Sequence, residues 1–389
     1  MNDNNEVDTL DVNKRRRDLI KAGAASTTLA AGASLGFPAI AQSARRIKIG
    51  MVSPATGPLA AFGETDKFGI AGVQALLKDG LQIGNRKHPV EIILKDSQSN
   101  PNRAGEVAAD LILKDRVDLM VVGNTPETVN PVGDQCELNE VPCISTLCPW
   151  QPWFFGRKGD PVKGFNWTYH FFWGLEDIIA VFTNLWKSQP TNKVVGALFP
   201  NDGDGNAWGD PKLGLPPALA KDGFKLIDPG RYQNLQQDFS AQIAAFKKEN
   251  CEIVTGVVIP PDMKTFWTQA RQQGYRPKIV SVGKALLFPA SIEALGDIGD
   301  GMSTEVWWTP AHPYKSSLTG QSPRQLADAY EAQTKRQWSQ PIGFVHALFE
   351  VALDTLKRTK DVGNKAAIRD ALAATNLNTT VGNLQWGKG

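Results

Sequence analysis

Short, almost wholly apolar runs alternate along this chain with longer stretches that carry one apolar face. Ile47-Lys48-Ile49-Gly50-Met51-Val52 is largely apolar and stops at Ser53-Pro54, which predicts a first strand. Residues 64–78 have helical spacing, with Phe68, Ala71 and Ala75 on one face. A second strand is predicted over 90–96. A helix follows from Asn100-Pro101 to Lys114, with Ala104, Val107, Ala108, Leu111 and Ile112 as its buried stripe. Third and fourth strands are predicted over 117–123 and 143–145. Strands without a polar face, alternating with amphipathic helices, make a parallel sheet covered on both sides.

The same order then starts again. Strands are predicted over 167–172, 193–199, 225–227, 252–259 and 279–282. Helices are predicted between them over 175–188, 216–222, 238–249 and 263–273. A Gly-, Pro- and charge-rich stretch over 156–164 reads as the break between the two units. The remainder predicts one more strand over 301–308 and three helices over 325–337, 344–359 and 365–374.

The first forty-odd residues do not fit either unit. Arg16-Arg17-Asp18-Leu19-Ile20-Lys21 is a twin-arginine pair with two apolar residues and a lysine behind it, and a weakly apolar run rich in Ala, Gly, Ser and Thr follows over 22–40. Ala39-Ile40-Ala41 then places small residues before Gln42, as a cleavage site requires. This is the layout of a bacterial export signal of the Tat route, which carries folded cargo. The other reading is a basic amphipathic helix on a membrane surface, but the run is too short and too small-residued for a stable anchor. The first cysteine is Cys136, so no lipid-attachment cysteine sits near the cleavage point. The mature protein is expected to be soluble in the periplasm.

Without this leader the chain is too long for one ordinary domain and comfortable for two. The leader carries as many acidic as basic residues, so the formal net charge of +2 is unchanged by its removal. That balance gives no footprint for nucleic acid or for an acidic membrane surface. The four cysteines, Cys136, Cys143, Cys148 and Cys251, match no zinc spacing. A disulfide from Cys136 to Cys143 or Cys148 is conceivable in the periplasm, but a chain of this length does not need one.

In the order and spacing of Thr56-Gly57-Pro58-Leu59-Ala60-Ala61-Phe62-Gly63, Asp96-Ser97-Gln98-Ser99-Asn100-Pro101 and Gln269-Ala270-Arg271-Gln272-Gln273-Gly274, the chain resembles the solute-binding proteins of ABC importers, in the leucine-type or type I periplasmic binding class. Ile47-Lys48-Ile49-Gly50 followed by Thr56-Gly57-Pro58-Leu59-Ala60-Ala61-Phe62-Gly63 is similar to the family's opening strand and binding loop. Asp96-Ser97-Gln98-Ser99-Asn100-Pro101 is similar to its second strand and helix. Phe239-Ser240-Ala241-Gln242-Ile243, Lys247-Lys248-Glu249-Asn250 and Gln269-Ala270-Arg271-Gln272-Gln273-Gly274 are similar to its second lobe. The resemblance implies an α/β fold of two doubly wound lobes, periplasmic binding protein-like I, joined by a multi-segment hinge with a ligand between them. It implies residues 42–163 and 285–375 in the first lobe and 164–284 and 376–389 in the second. The family usually continues past the point where Gly389 ends this sequence, so a truncation of the closing strands is expected.

In open α/β sheets ligands lie outside the carboxyl ends of the strands. The loops there are 53–63, 124–130, 145–153, 173–177, 201–209 and 260–262. Phe62 fits the family's aromatic lid. Thr125 and Thr128 stand where the family offers hydroxyls to a ligand carboxylate, although Pro126 and Glu127 interrupt that pattern. Leu147 and Cys148 stand, with Pro149, where small residues and a hydroxyl are commoner. Trp208-Gly209 resembles an aromatic–glycine pair at the cleft edge. Asp262 aligns with the acid that pairs a ligand ammonium; equally, Pro260-Pro261-Asp262 reads as a helix start with Asp262 as its cap. Trp150, Trp153, Phe154, Phe155, Tyr169, Phe172 and Trp173 form an aromatic set near the first crossover, and Trp150 and Trp173 are its candidates for ligand contact, against a packing role for all of them.

Catalytic and metal chemistry is not spelled out. The four histidines have no ligand spacing, and Asp202-Gly203-Asp204-Gly205-Asn206 imitates the start of a calcium loop but has Ala207 and Leu213 where Gly and Glu are needed. No Walker loop, nucleophile elbow or dinucleotide fingerprint appears. The expectation is a non-enzymatic receptor without cofactor. It would bind a small amino acid, amide or aromatic acid, with an inner-membrane ABC permease as partner and the Tat translocase as export route. A sensory module of the same fold and a periplasmic enzyme are the other readings.

Overall fold

The computed structural model describes residues 44–386; the twin-arginine leader and its cleavage site lie outside the described residues. The first sheet begins with β1 (Ile47–Ser53). A small antiparallel hairpin of β2 (Leu81–Ile83) and β3 (Arg86–His88) then leads into β4 (Val90–Asp96), β5 (Leu119–Val122), β6 (Cys143–Thr146) and β7 (Thr168–Phe171). The second sheet contains β8 (Val194–Leu198), β9 (Lys225–Ile227), β10 (Ile253–Val257), β11 (Ile279–Gly283) and β12 (Met302–Ser303). A terminal antiparallel hairpin pairs β13 (Asn376–Thr379) with β14 (Gly382–Gln385).

The sheets run in the orders β4-β1-β5-β6-β7 and β12-β11-β10-β8-β9, with every pairing parallel. Counted within each sheet, both follow the order 2-1-3-4-5. The order reverses beside the first strand, and the crevice at that reversal opens at the carboxyl ends of the strands. The two halves of the chain therefore present one binding-prone edge each.

Each sheet is sandwiched between apolar clusters. The helix Pro341–Arg358 is buried on almost every face. It joins Ile47, Ile49, Met51, Leu119, Val121 and Ile144 on one side of the first sheet, while the stripe Ala104, Val107, Ala108, Leu111 and Ile112 covers the other. In the second lobe Phe239, Ile243, Phe246 and Phe266 pack on one side, and Phe182, Trp186, Trp208 and Leu219 on the other.

Three expectations change. The strand near 168 does not open the second unit: Cys143 to Thr146 pair with Thr168 to Phe171, so it is the fifth strand of the first sheet. An apolar strand reads the same whichever sheet it joins, and the Gly- and Pro-rich stretch before it is a surface excursion of the first lobe. The crossover thus falls at Phe172–Gly174 rather than near 163. The chain also returns later than 284, because β12 pairs with β11 before residues 304–307 cross back. Residues 376–386 do not enter the second lobe: Leu377, Val381, Leu384 and Trp386 pack on the first lobe's core. Several elements are additional, among them the two antiparallel hairpins and the short helices Trp150–Phe154 and Gly203–Trp208; the longest lies over 126–138. Residues 126–138 form a helix, Pro126–Leu138, in which Pro131 and several polar residues blur the periodicity. The four cysteines are buried free thiols.

Candidate functional site

The lobes meet at the carboxyl ends of both sheets. After β1 the chain turns through Thr56 and Gly57, where Thr56 Oγ1 donates to Asp96 Oδ2 at 2.6 Å and Leu59 N donates to Ser99 Oγ at 3.1 Å. Gly57 has φ +88°, and a Cβ there would lie 2.7 Å from Ser99 Oγ, so the turn requires glycine. This anchored turn aims Leu59 and Phe62 across the interface at Ile259, Leu287 and Phe288 of the second lobe.

In the second lobe, Asp202 caps the short helix Gly203–Trp208 by accepting the Gly205 N–H at 2.7 Å. A Cβ on Gly205 would lie 2.0 Å from the Pro200 carbonyl oxygen, so only glycine lets the helix wrap this tightly. The wrap delivers Asp204 and Trp208 to the interface. Lys284 follows β11 with φ +68°, and Leu147 follows β6 with φ +69°. Such left-handed conformations strain residues with side chains and concentrate at functional sites.

These elements enclose a cavity of about 30 Å³ lined by Phe62, Leu147, Phe172, Trp173, Asp204, Trp208, Lys284 and Glu305, with Pro149, Val257, Leu287 and Trp307 completing its wall. That volume holds one or two waters. Anything larger fits there only with the lobes further apart.

Lys284 Nζ is ion-paired with Asp204 and lies 3.7 Å from Asp202. Burial works against the Lys284 ammonium, but Asp202, Asp204 and Glu127 together outweigh it and hold its pKa above the ordinary lysine value. Burial pushes the Asp204 carboxyl up to about 7, with Lys284 opposing the rise. Glu305 is also raised by burial, although it accepts from Thr304 Oγ1 at 2.6 Å and from the Lys284 N–H at 3.4 Å. Asp204 Oδ1 and the indole nitrogens of Trp173 and Trp208 are buried without a protein partner. Buried polar atoms are rarely left so, and a cavity wall is where a bound molecule satisfies them.

Of the residues singled out in the sequence, Phe62, Leu147, Trp173 and Trp208 line this cavity. Cys148 is buried behind it, with its thiol raised by burial first and by the Asp204 and Glu127 charges next. Thr125 and Thr128 are buried at the start of the helix Pro126–Leu138 and do not line it. Trp150 lies on the outer surface: it is 37% exposed and its Nε1 donates to Glu176 Oε1 at 2.9 Å. Asp262 is also off the cavity, because both its oxygens accept the Leu235 N–H, at 2.9 and 3.1 Å. It lies in the first turn of the helix Pro260–Gln272, whose N-cap is Ile259, and burial pushes its carboxyl up to about 7.

The cavity-lining residues that the sequence did not single out are Asp204, Lys284 and Glu305, with the apolar Val257, Leu287 and Trp307. Asp204 sits in the stretch that imitates a calcium loop, which here forms a capped helix instead. Lys284 was legible only as the residue after a strand end. Glu305 lies in a crossover that reads as a strand. The aromatic set divides: Phe172 and Trp173 reach the cavity, while Trp150, Trp153, Phe154, Phe155 and Tyr169 border an outer groove of about 590 Å³ on the first lobe. Among the described residues, no group of three His, Cys, Asp or Glu could hold a metal ion, and no helix is long and apolar enough to cross a membrane.

The sequence profile of the periplasmic binding protein family matches residues 46–388. No curated protein matches the sequence. Solved structures share the fold at low identity. The leucine binding protein LivK of Thermotoga maritima is 19% identical with a TM-score of 0.70, over 87% of this chain and 91% of that one. The branched-chain amino acid substrate binding protein LivJ of Streptococcus pneumoniae, in complex with isoleucine, is 15% identical with a TM-score of 0.71, over 88% and 92%. A solute binding protein of an R. palustris ABC transporter, in complex with benzoate, is 14% identical with a TM-score of 0.70, over 88% and 89%. This chain belongs to the periplasmic binding protein family and has its two-lobed type I fold.

Proposed function

We propose that this protein is the periplasmic solute-binding component of an ABC importer. It is exported through the Tat translocase and hands a small amino acid, amide or aromatic acid to an inner-membrane permease. No bond is made or broken. A solute that touches both lobes binds the closed arrangement better than the open one and so shifts the protein toward closure. The permease then reads the closed rims.

One observation carries this reading: at the carboxyl ends of both sheets, a cavity walled by both lobes gathers Asp204, Lys284 and unpartnered indole nitrogens among aromatic rings. Structures of the same fold hold isoleucine and benzoate, which puts both aliphatic and aromatic solutes within the fold's reach. A thermal-shift screen of amino acids, amides and aromatic acids tests the proposal. A solute at a hundredfold excess over its Kd adds about 2.7 kcal/mol of stability, enough for a plain rise in Tm. Flat melting temperatures across all three classes would overturn the assignment.

A further inference from the structure

The charges that face the cleft are unbalanced. Asp204 and Glu305 line the cavity, and Asp202 and Glu127 act on the same lysine from behind it. Against these four carboxylates stands one ammonium, Lys284, already paired with Asp204. Arg157, the cation that reaches Cys148 from the other side, is taken up by Asp134 at 2.8 Å and Thr168 at 2.9 Å. Buried carboxylates in excess over cations favour an added positive charge, a proton on the raised Asp204 and Glu305 carboxyls or a cationic guest that replaces it.

Five rings wall the same space: Phe62, Phe172, Trp173, Trp208 and Trp307. Aromatic faces attract cations, and most strongly where water is excluded. Three unpartnered groups on the wall fix the polarity of a guest further. Asp204 Oδ1, on a side chain 1% exposed, accepts a hydrogen bond or a charge. The indole nitrogens of Trp173 and Trp208 donate, and so ask for an oxygen elsewhere on the same molecule.

We infer that the cleft selects a small organic cation, an amine or quaternary ammonium group carrying a nearby hydroxyl or carbonyl oxygen, with Asp204 and Glu305 as its charge partners. The inference rests on the solute-binding reading and narrows it: within that reading, amine-bearing solutes bind and plain carboxylates do not. Because the cavity holds only a water or two as it stands, the cation enters as the lobes part and is enclosed as they close.

The test is calorimetric titration and thermal shift of the full mature chain with choline chloride. Sodium benzoate serves as the comparison solute and sodium chloride as the ionic-strength control. Choline is expected to bind and to raise Tm where sodium chloride and benzoate at the same concentration do not. Asp204→Asn is expected to weaken choline binding at least tenfold, about 1.4 kcal/mol. Glu305→Gln repeats the test from a second element should the first variant fold poorly, and circular dichroism of each unliganded variant separates misfolding from lost affinity. Benzoate binding without choline binding overturns the inference and leaves the solute-binding reading standing. Absence of choline binding overturns it whatever else binds. Failure of the broader reading shows differently, as no response to any solute class.

Discussion

Phe62 of the first lobe meets Phe288 of the second edge to face, with ring centroids 4.8 Å apart at 78°. Leu59, Ile259 and Leu287 surround the pair, so an apolar latch closes one side of the cleft. Nearby, Glu127 Oε1 accepts the Gly203 N–H across the same interface at 3.0 Å. A solute arriving between the lobes competes with these direct contacts before it benefits from closure. A double-mutant cycle of Phe62→Leu and Phe288→Leu should show a coupling of about 0.5–1.5 kcal/mol in urea unfolding. Additive effects would mean that the rings do not act as a pair.

The tight wrap at Gly205 positions Asp204 and Trp208. Adding a methyl group there drives a Cβ to within 2.0 Å of the Pro200 carbonyl oxygen, a backbone atom that cannot swing aside. Gly205→Ala should destabilise the protein by about 1–3 kcal/mol and weaken solute binding. Gly72 is the control: it lies inside the helix Asp66–Leu76, and a Cβ added there would meet nothing within 4 Å. Gly72→Ala should leave binding alone and stabilise the helix by about 0.5–1 kcal/mol. Equal behaviour of the two variants would remove Gly205 from the account.

Much of this architecture was legible in the sequence, and the reason is periodicity. Ile47–Ser53, Pro101–Leu113 and Ile253–Val257 follow from apolar runs and stripes that only one geometry buries. The aromatic wall was partly legible too, because Phe62 and Trp208 sit in short local patterns beside glycine. What was not legible depends on which strand pairs with which. The strand Thr168–Phe171 has the same composition whether it ends one sheet or starts the next, and its pairing with Cys143–Thr146 moves the crossover by about ten residues. Lys284 and Asp204 are eighty residues apart in the chain and meet only because β8 and β11 both flank β10. Asp262 reads equally as a ligand partner and a cap; in the fold Ile259 takes the cap position, and the Leu235 N–H that Asp262 accepts comes from a loop no local pattern connects to it.

Leu235 sits at φ +67° and its N–H is held by the Asp262 carboxylate. Asp262→Ala strands this N–H and should cost about 1–3 kcal/mol of stability. Solute affinity of the folded variant should stay within about twofold of the parent, since each tenfold change corresponds to ~1.4 kcal/mol of lost contact. Calorimetry of the purified variant checks this. A large loss of affinity at unchanged Tm would return Asp262 to the binding site.

A pH signature is expected from Asp66. This carboxyl is fully buried at the start of the helix Asp66–Leu76, and burial pushes it up to about 7, against the pull of hydrogen bonds from Ser53 and Asn124. The folded state therefore holds a proton that the unfolded chain has already released above about pH 4. Stability from this group is full at low pH and is lost as pH rises toward 7. Asp66→Asn removes the titration. Relative to the parent, its stability should rise by at least about 1 kcal/mol between pH 5 and pH 7.5, measured by urea unfolding at both. A constant difference across that range would show that Asp66 titrates normally.

The central claim is that a solute is held between the lobes, at the carboxyl ends of both sheets. A crystal structure with the most stabilising solute from the screen tests it most directly. The account predicts the solute enclosed by Phe62, Trp173, Trp208 and Lys284, with Asp204 in contact. Solute seated instead in the outer groove beside Trp150 and Phe155, with the interlobe cavity unchanged, would contradict it.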